Sequence, residues 1–188
     1  MLTGEEAQAI LDRAELVCPA ADIAAAVARV AGEVTAQLAG RHPLVLAVMG
    51  GAVVFAGQLL PQLPFPLEFD YLHATRYNGT TSGGALYWRV EPCEKLAGRT
   101  LLVVDDILDE GITLAAIKAR LLERGAAAVY TAVLVEKELG RDKPIAADFV
   151  GVRLPDRYLF GCGMDVHGAW RNLPAIYALC PKGTSFGA

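Results

Sequence analysis

The sequence predicts an α/β fold, an open and mainly parallel sheet flanked by helices. Three observations carry that expectation. Leu101 to Val104 is a four-residue apolar run, the pattern of a strand buried on both faces, as parallel strands are. Strand-like and helix-like segments alternate through the middle of the chain, the order of a βαβ sheet. The composition, 54% hydrophobic and 20% charged over 188 residues with a mean hydropathy of +0.36, requires a sizeable core. The same composition excludes intrinsic disorder, and no self-similar period marks a repeat array.

The elements follow in order. Thr3 with Glu6 makes a capping-box pattern, and Ala, Ile and Leu recur at helical spacing as far as Val17. After Pro19 an Ala-rich helix is expected over Asp22 to Leu38, with Gly40 as its stop. Leu44 to Met49 reads as a strand, Gly50-Gly51 as a tight turn, and the apolar stretch to Leu60 as a helix. Leu67 to Thr75 is a second strand, and Tyr77 to Leu86 (YNGTTSGGAL) a polar, Gly-rich loop too long for a simple hairpin. Past Val104, Asp105 to Gly111 is expected to turn, Thr113 to Arg124 to form an amphipathic helix ended by Gly125, and Ala127 to Val135 to form the next strand. From Asp148 on, short β-like pieces end in WRNLPAIYAL; with the N-terminal helix they are expected to cap the sheet. No linker separates cap from core. The chain therefore reads as a single domain, 1–188, with a core of about 40–145 and a small hood from about 1–20 and 146–188.

Composition also removes several function classes. Leu44 to Leu67 is 24 residues without a charge, nominally enough to span a bilayer. Its Gly50-Gly51, Gln58, Pro61, Gln62, Pro64 and Pro66, and the absence of a basic flank, argue instead for elements inside a folded core. A net charge of −4 and a pI near 5.4 argue against a general nucleic-acid or anionic-membrane binder. Cys18, Cys93, Cys162 and Cys180 are far apart without a CxxC pair, which suits neither a zinc site nor a disulfide framework and points to a reducing compartment. The first residues contain acids and no basic n-region, so a cytoplasmic location is expected.

The chemistry concentrates in LLVVDDILDEGITL, Leu101 to Leu114. Asp105, Asp106 and Asp109 cluster where a buried strand emerges, and Gly111 and Thr113 follow at a helix start. Backbone N–H groups at a helix N-terminus cradle phosphate, and paired carboxylates beside them grip sugar hydroxyls or Mg²⁺. Helix capping alone asks for one or two acids and does not explain three behind four buried apolar residues. The segment reads as a sugar-phosphate site.

VVDDILDEGIT resembles the phosphoribosyl-pyrophosphate signature of type I phosphoribosyltransferases, and the likeness extends from about Leu44 to Leu179. It is most similar to the hypoxanthine-guanine phosphoribosyltransferase branch, which implies the type I phosphoribosyltransferase fold. The resemblance implies that Asp105 and Asp106 hold the ribose hydroxyls, directly or through Mg²⁺, and that the loop Asp109, Glu110, Gly111, Ile112 and Thr113 wraps the 5′-phosphate. Asp109 matches the general base at purine N7, and Lys137 in LVEK matches the lysine donating to the 6-oxo group. Tyr158 takes the place of an aromatic ring stacked on the base, and Leu159 offers backbone groups to its edge. Asp165 in GCGMD matches a carboxylate near a second Mg²⁺, and Arg171 in WRNLP an arginine reaching pyrophosphate. Met49, Gly50 and Gly51 fall on the pyrophosphate loop, with a non-proline cis peptide placed at Met49–Gly50. Arg76, Tyr77 and the Gly-rich stretch after them match a mobile loop, about 75–87, that closes over the reacting centre.

The implied activity is purine salvage. Hypoxanthine, and guanine with it, would react with phosphoribosyl pyrophosphate to give the nucleoside monophosphate and pyrophosphate, with Mg²⁺ as cofactor. The implied partners are these small molecules and further copies of the chain, as a homodimer or homotetramer, with neither nucleic acid nor membrane. Three departures stand out: Asp105 where relatives often have Glu, Glu110 where many have Ser or Thr, and Gly50 where several carry a basic side chain. Two alternatives keep the fold. One is the same reaction on xanthine or a pyrimidine; the other is a nucleotide-sensing regulator of RNA, against which the acidic balance argues.

Overall fold

In the computed structural model, which describes residues 2–76, 86–92 and 95–180, the chain begins with α1 (Gly4–Leu11), β1 (Glu15–Cys18) and α2 (Ala20–Leu38). It continues through β2 (Leu44–Val48), α3 (Val53–Leu59), a short 3-10 turn (Leu60–Gln62), β3 (Glu68–Arg76) and β4 (Leu86–Val90). Then come β5 (Thr100–Leu108), α4 (Ile112–Glu123), β6 (Ala128–Glu138), β7 (Phe149–Pro155), β8 (Leu159–Phe160) and β9 (Ile176–Ala178). The expected α/β architecture is present. β2, β3, β5, β6 and β7 run parallel, and β4 joins antiparallel on β3, giving the order β4-β3-β2-β5-β6-β7.

Every residue of β2 is buried, as are Leu101 to Val104 at the centre of β5, because helices cover both faces of a parallel sheet. α2 presents Ile23, Ala26, Val27, Val30, Ala31, Val34 and Leu38 to the core, a stripe at helical spacing. α3 contributes Phe55, Ala56 and Leu59, and α4 Leu114, Ile117 and Leu121. Each fully buried Val, Leu or Phe among them contributes roughly 1.5–3 kcal/mol of transfer free energy. Among the described residues no helix is long and apolar enough to cross a membrane, and the uncharged stretch from Leu44 resolves into β2, α3 and the 3-10 turn.

Thr131 on β6 is fully buried, and Asp148 at the start of β7 satisfies it. One carboxylate oxygen accepts from both the backbone N–H and the hydroxyl of Thr131, each at 2.8 Å, while the Asp148 N–H donates back to the hydroxyl at 3.1 Å. Asp148→Ala should therefore cost about 1–3 kcal/mol, the penalty for buried donors left unpaired, read as a lower midpoint in urea denaturation.

Three expectations need correcting. The helix that opens the chain stops at Leu11, and Glu15–Cys18 is a strand because it pairs antiparallel with β9. β5 does not turn at Asp105; it runs on to Leu108, since β6 continues to offer partners to Asp105, Ile107 and Leu108. Phe149–Pro155, grouped by the sequence with the hood, extends the central sheet instead, because Ala132 to Glu138 pair with it along its length. The hood is a separate three-stranded sheet, β1-β9-β8, made from segments that flank the central sheet in sequence. Most of the loop expected over about 75–87 lies outside the described residues, and so does Cys93.

Candidate active site

From β2 the chain winds outward to β3 on one side, and β5 lies on the other. Beyond the carboxyl ends of β2 and β5 is therefore the switch point where open α/β sheets leave a crevice. A cavity of about 450 Å³ opens there, lined by Met49 to Gly51 after β2, Asp105 to Leu114 along β5 and into α4, His73 on β3, and Arg171 from the hood. A second cavity, about 220 Å³, lies beside it and is walled by Lys137, Tyr158, Leu159, Met164 and Asp165. Asp106, Ile107 and Asp109 belong to both, so the acidic segment forms the partition between two chambers.

The first chamber opens on an uncapped helix N-terminus. Gly111 adopts φ +81° and serves as the N-cap of α4, turning the chain sharply out of the β5 loop. No side chain caps α4, and Ile112, Thr113 and Leu114 bring its first amides to the cavity wall, where the helix dipole favours an anion. Glu110 directs its carboxylate to Arg141, 3.3 Å away, so this added charge is spent on an ion pair. Opposite, the Met49–Gly50 peptide is cis and the Met49 N–H donates to the Leu72 carbonyl at 2.8 Å. A Cβ at Gly51 would overlap the Asp106 carboxylate, and one at Gly163 would overlap the Gly51 carbonyl. Hood, Gly50-Gly51 turn and acid pair are thus stacked without room for an added Cβ.

Asp105 and Asp106 are half-buried and adjacent. Burial, reinforced by the neighbouring Asp106 charge, pushes Asp105 well above the usual carboxylate range. Burial also raises Asp106, against the lowering effects of its hydrogen bond with Asp105 and of the Arg171 charge. The Asp106 N–H donates to Asp105 Oδ1 at 3.0 Å. Two hard oxygen donors that ionise together only at a cost fit a divalent cation. Among the described residues no three His, Cys, Asp or Glu stand together to cage a metal.

The second chamber brings a lysine, carboxylates and an aromatic ring together. Lys137, at the end of β6 with its side chain 12% exposed, places Nζ 3.1 Å from Asp109 Oδ2 and 3.7 Å from Asp156 Oδ1. Tyr158 leaves half its ring exposed and sends its hydroxyl 3.3 Å toward the Asp165 carbonyl, and Leu159 is buried in β8. Asp165 is already occupied: Oδ1 lies 2.6 Å from Arg171 Nη2, and Oδ2 accepts from the Gly168 N–H at 2.7 Å. Arg171 also donates from Nη1 to the Gly163 carbonyl at 2.6 Å, which fixes it over the Asp106 side of the first chamber.

Of the residues selected from the sequence, Gly50, Gly51, Asp105, Asp106, Glu110, Gly111, Ile112, Thr113 and Arg171 line the first chamber, and Lys137, Tyr158, Leu159 and Asp165 the second, with Asp109 at the junction. Arg76 closes β3, but its side chain and Tyr77 lie outside the described residues. Asp156, beside Lys137, was not selected; its signal is its place one residue past Pro155, the rung opposite Glu138. His73 was missed as well, and only the register of β3 beside β2 brings it to the cavity.

The sequence pattern of the family described as phosphoribosyl transferase domain matches residues 19–167. A hypoxanthine-guanine-xanthine phosphoribosyltransferase from Tritrichomonas foetus is 36% identical over 158 residues, covering 82% of this chain and 85% of that protein. A bifunctional protein, TilS/HprT, from Listeria innocua is 36% identical over 151 residues, 80% of this chain; the chain spans only 23% of that protein's length. Among solved structures, a hypoxanthine phosphoribosyltransferase from Staphylococcus aureus superposes with a TM-score of 0.86 at 25% identity, covering 94% of this chain and 97% of that one.

Proposed function

Since the chain belongs to the phosphoribosyl transferase domain family, we propose that it is a purine-salvage phosphoribosyltransferase, acting on hypoxanthine and guanine with phosphoribosyl pyrophosphate. One observation carries the reading: a chamber at the uncapped α4 N-terminus and a chamber walled by Lys137, Tyr158 and Asp165 meet at Asp109, which is held against Lys137. The two reactants would enter from opposite sides of one carboxylate.

In this reading the amides of Ile112 and Thr113 and the Thr113 hydroxyl bind the 5′-phosphate, and the backbone at Gly50 and Gly51 faces the leaving diphosphate together with Arg171. Asp105 and Asp106 would hold Mg²⁺, whose charge would neutralise that diphosphate; Asp165 joins them only by sharing its carboxylate with Arg171. Tyr158 stacks on the purine, and Lys137 donates to its 6-oxo oxygen, which disfavours a 6-amino base. The purine N9–C1 bond forms as the bond from C1 to the diphosphate oxygen breaks. Asp109 takes the purine's proton, and the acids beside it offset the positive charge at C1. Arg76, Tyr77 and the loop after them would close the chamber against water.

Phosphoribosyl pyrophosphate and Mg²⁺ offered with hypoxanthine, guanine, xanthine, adenine and uracil should yield monophosphate from the first two. Product from adenine or uracil alone would defeat the assignment, and product from xanthine would widen it. Lys137→Met should raise KM for hypoxanthine about 10–100-fold, the worth of one charge-assisted hydrogen bond, while KM for phosphoribosyl pyrophosphate stays near the wild-type value. A cytoplasmic location accords with Cys18, Cys162 and Cys180, which are free thiols. Assembly into a homodimer or homotetramer accords with the exposed Phe69 and Tyr71, which share one face of β3.

A further inference from the structure

The β5–β6 ladder ends at the rung Leu108↔Glu136. Past it β6 pairs only with β7, through Lys137↔Leu154 and Glu138↔Pro155, while β5 departs as the loop that carries Asp109. The two strand ends form a fork, and the residues at its tips are the pair whose spacing defines the second chamber.

An ammonium group occupies that fork. Lys143, from the segment joining β6 to β7, has a side chain only 8% exposed. Its Nζ donates to the Leu108 carbonyl at 3.0 Å and to the Lys137 carbonyl at 2.5 Å, and lies 3.7 Å from Glu136 Oε1. Three donors and no acceptor make lysine suited to bridging two carbonyls, and burial removes the water that would otherwise compete for them. The same segment backs the phosphate loop elsewhere: Arg141 pairs with Glu110, and Pro144 and Ile145 approach Gly111 closely enough to meet a Cβ placed there.

We propose that Lys143 is a positioning residue for the transfer reaction, locking the ends of β5 and β6 so that Asp109 and Lys137 stand at the separation a 6-oxopurine edge requires. The proposal rests on the functional reading above. It assigns Lys143 no contact with substrate; its effect passes through the Leu108 and Lys137 main chain. Asp109 follows Leu108 directly, so a shift of that carbonyl moves the carboxylate with it.

The test uses the full chain with each substrate varied in turn. Lys143→Met keeps the length and removes the donors. It should lower kcat/KM for hypoxanthine by on the order of 10²-fold, the cost of an ångström-scale misplacement, through both a higher KM for the base and a lower kcat. KM for phosphoribosyl pyrophosphate should stay within about twofold, because the α4 amides hold the 5′-phosphate independently. Lys143→Arg, which restores donors to both carbonyls, should recover about tenfold or more of the loss. Wild-type kinetics in Lys143→Met overturn the proposal. So does a proportional loss for both substrates accompanied by a large drop in Tm, which would make Lys143 purely structural. A wild-type protein inactive on every 6-oxopurine fails the functional reading itself, and that outcome is separate from an active wild type with an indifferent Lys143→Met.

Discussion

Asp109→Asn should lower kcat by about 10²–10⁴-fold, the range for losing a positioned general base, while the protein stays folded. The substitution keeps the side chain's size and removes its charge. Asp109 is 48% exposed and its partner Lys137 12%, so the 3.1 Å ion pair joins a solvent-facing carboxylate to a sheltered ammonium. Such a pair contributes only about 0–1 kcal/mol to stability, which predicts a Tm close to wild type. Binding and chemistry should separate. KM for phosphoribosyl pyrophosphate should hardly move, because the first chamber keeps its amides and its acid pair, while the proton on the purine loses its acceptor. A variant with near-wild-type turnover would remove Asp109 from the role of base and leave it as one partner of Lys137.

Gly51→Ala should be comparably severe for a different reason. Its Cβ would occupy the space of the Asp106 carboxylate, and Gly163 in turn needs the room beside the Gly51 carbonyl. Gly51 has no positive φ, so the alanine is not excluded by backbone conformation; it is excluded by its neighbour. The short Asp106 side chain would have to move, breaking its register with Asp105 and its approach to Arg171. Overpacking of this kind costs about 1–3 kcal/mol of stability. Displacing a carboxylate at the reacting centre by about an ångström should cost on the order of 10²-fold in kcat/KM for phosphoribosyl pyrophosphate. Steady-state kinetics and a thermal melt on one preparation measure both, and unchanged kinetics would mean that Asp106 is not fixed by the glycine pair.

The acid segment was legible in the sequence because its signal is local, whereas Lys137, Tyr158 and Asp165 were reached only through the family resemblance. Four apolar residues, two acids, a third acid, Gly and Thr follow one another within that one segment. What escaped was set by partners distant in sequence. Asp105 and Asp106 look like the end of a strand because carboxylates seldom lie inside one; the continued pairing with β6 keeps them in it. Glu15–Cys18 carries on the helical spacing of α1, yet β9 claims it as a strand. Asp156, His73 and Lys143 are single polar residues whose importance arises only when β7, β3 and the β6–β7 segment reach the strand ends. Asp148 belongs to the same group, for its acceptor role exists only beside the buried Thr131.

The hood sheet has a consequence for how the molecule is made. β1 precedes the central sheet in the sequence and its partner β9 follows it, and Trp170 Nε1 also reaches back to the Ala7 carbonyl at 2.7 Å. All strands of the central sheet have emerged by Pro155, so the part of the first chamber built on β2, β5 and α4 can form on a nascent chain, ahead of its Arg171 wall. The second chamber cannot. Its wall of Tyr158, Met164 and Asp165 is tied down only when β9 pairs with β1 and β8, and the β1–β9 contact joins segments far apart in sequence, a slow kind of contact to close. During synthesis the acid pair and the α4 N-terminus thus come together before Tyr158, Asp165 and Arg171 are in place. A chain stalled at Pro155 would carry the acid pair and the α4 N-terminus without Tyr158, Asp165 or Arg171.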